Sequence, residues 1–111
     1  MPNSIKAHRA LVARLKKLLG VSWSVTVRWG SPEELTVGDG ALHGMVLMHS
    51  EMETAEILLA KGQGADTLVH EFLHILFDSH RDLMGANYDH LHERALNKTA
   101  AALCRLMGLD G

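Results

Sequence analysis

The 111 residues make one ordinary domain whose side chains are 47% apolar and 22% charged, which excludes a disordered, collagen-like or coiled-coil chain. No apolar run approaches the roughly 20 residues that cross a bilayer, so a soluble protein with no membrane contact is expected. The single cysteine, Cys104, excludes an intramolecular disulfide and a Cys-rich zinc site, and fits a reducing, cytoplasmic setting.

In chain order, residues 4–19 read as an amphipathic helix with Ile5, Val12, Leu15, Leu18 and Leu19 on its apolar side, closed by Gly20. The first 32 residues carry Lys6, Arg9, Arg14, Lys16, Lys17 and Arg28 and no acid, while all 13 acids lie beyond them. These cations are read as the solvated face of that helix. No aromatic interleaving or known motif accompanies them, so no nucleic acid is expected, and they interrupt any candidate core of a secretory signal. Next, Trp23, Val25, Val27 and Trp29 alternate with Ser24, Thr26 and Arg28, the period-two pattern of a strand with one buried face.

Gly30-Ser31-Pro32 breaks that strand, and a polar loop is expected to run to Gly40. Residues 42–48 and 54–60 read as two strands, joined closely enough to form an antiparallel hairpin. After the turn Lys61-Gly62-Gln63-Gly64, Asp66 or Thr67 is the expected N-cap of a helix over residues 67 to about 80. Asn87 or Asp89 starts a last helix reaching about Met107, closed by Gly108. The expected fold is a single α+β domain over residues 1–111: an N-terminal helix, a three-stranded mostly antiparallel sheet, and two helices.

Histidine is the unusual residue. There are eight, and His70, His74, His80, His90 and His92 fall within 23 positions. His70-Glu71-Phe72-Leu73-His74 is an H-E-x-x-H motif set in a strongly apolar helix. Residues four apart lie above one another on a helix, so both imidazoles project from one face and can bind one ion. Zinc accepts histidine nitrogen at about 2.0–2.1 Å and, at catalytic sites, keeps one position open for water. It lowers the pKa of that water towards neutrality, and Glu71, beside the first ligand, can take the proton as the water attacks a carbonyl.

A third ligand must come from elsewhere. Glu93 lies 18 residues beyond His74 on the final helix, which can present it by doubling back, with Asn97 one turn further on to hold a ligand histidine. His80, six residues after His74, would point about 120° away from the His74 face in a continuous helix, and the sharp turn it needs would fall at Phe77, where glycine would suit better. His90 and His92 are the remaining candidates. For each of the three histidines, a solvated helix-end residue is the simpler explanation.

With these residues in hand, the chain resembles the gluzincin metallopeptidases, whose H-E-x-x-H is followed by a glutamate on a separate helix. Carried onto this sequence, the resemblance implies one zinc ion held by His70, His74 and Glu93, with Glu71 as general base and later acid. Asn97 stands where many members have an aspartate. As a whole the chain resembles the minigluzincins and similar phage or prophage proteins, which implies a minimal zincin fold and zinc-dependent peptide-bond hydrolysis. A peptide or protein substrate would then lie along an edge strand, here Gly44 to Met48. Larger relatives hold the oxyanion with a Tyr or His from a second lobe; Tyr88, the single tyrosine, is the candidate here, and a partly buried aromatic at a helix start is its simpler explanation.

Two other functions are compatible with the same residues. His70, His74 and His80 also match the metal triad of YbeY-like RNA-processing proteins and of metzincin proteases, although the second glycine of both patterns is missing and Glu71 replaces the first glycine of the former. A latent or non-enzymatic zinc-binding module is the other, since a domain of this size has little surface from which to build a specificity pocket.

Overall fold

The computed structural model describes residues 4–78 and 88–109, with the backbone alone for residue 78 and residues 88–96. Helix α1 (Ile5–Leu19) begins where the Ser4 hydroxyl accepts from the Ala7 N–H at 3.1 Å, satisfying one of the donors that a helix start leaves open. It ends at Gly20, whose left-handed φ of 69° lets its N–H reach back to the Lys16 carbonyl. The buried seam is His8, Leu11, Val12 and Leu15, spaced by three and four residues. Leu18, expected on the apolar side, is 60% exposed. Lys6, Arg9, Arg14 and Lys17 are exposed, as expected of a solvated face.

Five strands follow: β1 (Ser24–Trp29), β2 (Thr36–Val37), β3 (Gly40–Ala41), β4 (Gly44–His49) and β5 (Thr54–Leu59). The three long ones form a sheet in the order β1-β5-β4, with β4 antiparallel to β5 and β1 parallel to it. The class is α+β, and the sheet is mixed rather than mostly antiparallel. The cause lies in β5, where Ala55, Ile57, Leu58 and Leu59 are all buried. A strand apolar on both faces belongs in the middle, so the chain travels from β1 past the centre to the β4 edge before returning.

On the way it makes the short β2–β3 hairpin, Thr36 opposite Ala41 and Val37 opposite Gly40, within the stretch expected to be a loop. Gly38 supplies the positive φ of 58° that a two-residue connection needs, and Gly38-Asp39 is a recognised hairpin signal.

Register aligns three rows across the helix-facing side of the sheet: Val25–Ala55–Met48, Val27–Ile57–Val46 and Trp29–Leu59–Gly44. Helix α1 is joined by α2 (Ala65–Asp78) and α3 (Tyr88–Leu106). Their apolar residues and this face form one core, with Leu15, Ile57, Leu59, Leu68, Phe72 and Ile75 fully buried. Burial of each such side chain is worth about 1.5–3 kcal/mol. None of the described helices is long and apolar enough to cross a membrane.

The opposite side of the sheet carries its own small cluster. Leu35, from the segment after β1, is 3% exposed and sits beside Leu58; a Cβ on Gly30 would stand 3.0 Å from Leu35 and 3.2 Å from Leu58, so glycine lets the three pack closely. Beside it Arg28 binds Glu34 at 2.6 Å and Glu56 at 3.1 Å. The Arg28 hydrogen bond, helped by the Ser31 N–H, pulls the Glu34 carboxyl down to about 2.

Candidate active site

Helix α2 carries the H-E-x-x-H motif and begins at Ala65, two residues earlier than expected, with the Leu68 N–H donating to the Gly64 carbonyl at 3.3 Å. Asp66 and Thr67 therefore lie inside the first turn. Asp66 Oδ1 accepts from the Thr67 N–H at 2.9 Å, and the Thr67 hydroxyl donates to Gln63 Oε1 at 2.8 Å, tying that turn to the preceding loop. Leu68, Val69, Phe72, Leu73 and Ile75 bury the far side of the helix and fix its rotation about its axis.

That rotation leaves His70 and His74 half-buried on a common face, their ring centroids 5.0 Å apart and their planes at 75°. Glu71 is 8% exposed and turns towards the sheet. A Cβ added to Gly44 would meet Thr67 Cγ2 at 3.1 Å, Glu71 Cγ at 3.2 Å and Leu59 Cδ2 at 3.2 Å. The row Trp29–Leu59–Gly44 thus ends without a side chain at the point where α2 needs the space. Glycine at that place is the local sequence feature that seats Glu71 against the sheet.

A cavity of about 380 Å³ opens beside these groups. Its walls are Leu42 and His43 from the link before β4, Gly44 at the start of β4, Asp66, Thr67, His70 and Glu71 from α2, and Asn97, Ala100 and Ala101 from α3. Among the described residues β4 pairs with β5 alone, which makes it an edge strand, and it includes the whole of Gly44 to Met48. Cys104 is buried on α3, and burial, together with the nearby Asp66 carboxylate, pushes its thiol up, which suits a small hydrophobe rather than a nucleophile.

Of the residues expected at the site, His70, Glu71 and His74 stand together, and Asn97 shares a cavity with the first two. Glu93 and Tyr88 belong to α3, but their side chains lie outside the described residues, as do those of His90 and His92; His80 lies outside them altogether. Among the described residues no group of three His, Cys, Asp or Glu side chains is close enough to hold a metal ion. The pair that is described fits zinc: rings at this separation, on successive turns of one helix, can each bring a nitrogen to about 2.0–2.1 Å from a shared ion.

Several residues at or near the site carry no functional expectation from sequence. Asp66 and Thr67, alternative N-caps by sequence, lie one turn before His70 and Glu71, which places them on the same helix face. His43 and Leu42 precede the edge strand, and only the sheet order reveals that they border the motif. His8 was one histidine of eight; it is 1% exposed, edge-on to Trp29 at 5.5 Å, with Nε2 2.8 Å from the Gln63 carbonyl oxygen. It joins α1 to the loop that launches α2.

Comparison of the chain with protein-family models, with curated proteins and with solved structures finds no match.

Proposed function

We propose that the protein is a zinc-dependent metallopeptidase of gluzincin type, with His70, His74 and Glu93 as metal ligands and Glu71 as the general base. The observation that carries the reading is the pairing of two adjacent, edge-on imidazoles with a buried carboxylate that borders a cavity along an edge strand. Glu93 precedes Asn97 by four residues on α3, and residues four apart share a helix face. The Asn97 amide lines the same cavity as His70, which supports α3 as the source of the third ligand.

When bound, zinc supplies Lewis-acid polarisation of the substrate carbonyl and acidifies water. The chain's own residues do the rest. Edge strand β4 offers backbone N–H and C=O groups to an extended peptide, which aligns its scissile bond beside Glu71. The Glu71 carboxylate, held against Gly44, accepts a proton from the attacking water and returns it to the departing amine nitrogen. Tyr88 is a candidate for steadying the carbonyl oxygen. A cytoplasmic setting accords with the single buried, protonated thiol of Cys104.

Zinc-loaded protein incubated with a broad peptide library, read by mass spectrometry, tests the proposal. Cleavage by the wild type that disappears in Glu71→Gln, with zinc content unchanged, is the expected result. Zinc bound equally by both proteins and no cleavage by either would replace the peptidase with a zinc-binding module.

A further inference from the structure

We infer that His43 is a catalytic residue, donating a hydrogen bond to the carbonyl oxygen of the scissile peptide; the inference rests on the peptidase reading above. The carbonyl oxygen gains negative charge as water adds, and a donor already in place there is worth more than one that must be recruited. Among the described lining residues, three side chains other than that of His70 can donate a hydrogen bond without carrying a carboxyl group: His43, Thr67 and Asn97. The Thr67 hydroxyl proton is committed to Gln63 Oε1. Asn97 stands on the α3 wall. His43 stands immediately before β4, on the side of the cavity where a peptide alongside that strand would present its backbone.

Its backbone is held in place. The Ala60 N–H donates to the His43 carbonyl at 2.8 Å, which carries the β4–β5 ladder one step beyond the Gly44–Leu59 pair. The next residue, Gly44, is the one that abuts Glu71 Cγ. His43 is thus the chain neighbour of a sheet residue that Glu71 packs against. Its imidazole is exposed and, among the described residues, bonds to no protein group. No lysine or arginine is present among the described lining residues to take the same role.

In the reaction, the water O–H bond breaks towards the Glu71 carboxylate and the new C–O bond forms. The carbonyl π pair moves onto the oxygen that faces His43. On collapse that pair re-forms the C=O bond, the C–N bond breaks with its electrons on nitrogen, and nitrogen takes the proton from Glu71. The new carboxylic acid then ionises to solvent. His43 keeps its own proton throughout, so either charge state of the ring can serve.

The test uses zinc-loaded full chain as wild type, His43→Ala, His43→Gln, Tyr88→Phe and Glu71→Gln. Two readouts are taken: kcat and KM on a cleaved library peptide, and calorimetric affinity for a phosphinic peptide, whose tetrahedral phosphinate replaces the scissile amide. His43→Ala is expected to lower kcat by about 100- to 1,000-fold with KM little changed. It should weaken phosphinic-peptide binding in proportion, leave zinc content unaltered, and be partly rescued by His43→Gln, whose amide also donates. Unchanged kcat and phosphinic affinity in His43→Ala, or a loss in Tyr88→Phe alone, overturns the inference while Glu71-dependent cleavage keeps the peptidase reading intact. A zinc-loaded wild type that neither cleaves peptides nor binds the phosphinate overturns both.

Discussion

Replacing Gly44 by alanine puts the proposed seating of Glu71 under direct strain. The new Cβ would stand 3.1 Å from Thr67 Cγ2 and 3.2 Å from both Glu71 Cγ and Leu59 Cδ2, tighter than ordinary van der Waals contact on three sides at once. Leu59 is fully buried and Glu71 nearly so, which leaves α2 little room to retreat without disturbing the core. Overpacking of this kind costs about 1–3 kcal/mol. Removing a glycine from a strand returns about 0.5–1 kcal/mol by reducing the freedom of the unfolded chain. The net loss is then about 0–2.5 kcal/mol, or a Tm lower by up to roughly 20 °C at about 4–8 °C per kcal/mol for a domain near this size. Urea unfolding followed by fluorescence of buried Trp23 measures it. Because Glu71 Cγ must shift by a few tenths of an ångström, peptide cleavage should fall further than the folded fraction does, while zinc stays bound. A Gly44→Ala protein as stable and as active as wild type would refute the close approach of β4 to Glu71.

Two other substitutions probe the frame around the site. His8→Phe keeps a ring against Trp29 but leaves the Gln63 carbonyl without its 2.8 Å partner, and should lower the unfolding free energy by about 1–3 kcal/mol in a urea titration; an unchanged midpoint would mean that bond is worth nothing. Glu34, held at about 2 by Arg28 against an ordinary value of 4.5, contributes stability that is complete above 4.5 and is lost as pH falls towards 2. The Tm gap between wild type and Glu34→Gln should therefore be widest near neutrality and close between those two pH values; a gap constant with pH would contradict the pairing.

Local signals along the chain were legible wherever a single periodicity governed them. Ser4 and Gly20 bracket α1, and the alternation from Trp23 to Trp29 marks β1. The motif lies on one face of α2 because the four-residue spacing and the apolar flank demand it. What was not legible depended on contacts distant in sequence. The parallel β1–β5 pairing follows from how both faces of β5 are covered, and Leu35, which sits beside Leu58, is 23 residues away. The burial of His8 has the same origin, since its partners Trp29 and Gln63 meet only in the folded chain. Of the site itself, the motif announced His70, Glu71 and His74. Asn97, expected one turn beyond Glu93, lines the same cavity as His70 and Glu71, whereas His43 joins them through the sheet order, which no spacing rule encodes.

Zinc content per chain, measured by plasma mass spectrometry on wild type, His74→Ala, Glu93→Ala and His80→Ala after zinc loading and dialysis, tests the metal assignment most directly. One ion per chain in the wild type and in His80→Ala, with loss in His74→Ala and Glu93→Ala, is what a two-histidine, one-glutamate site requires. Zinc retained by Glu93→Ala and lost from His80→Ala, or a wild type that holds none, would contradict it.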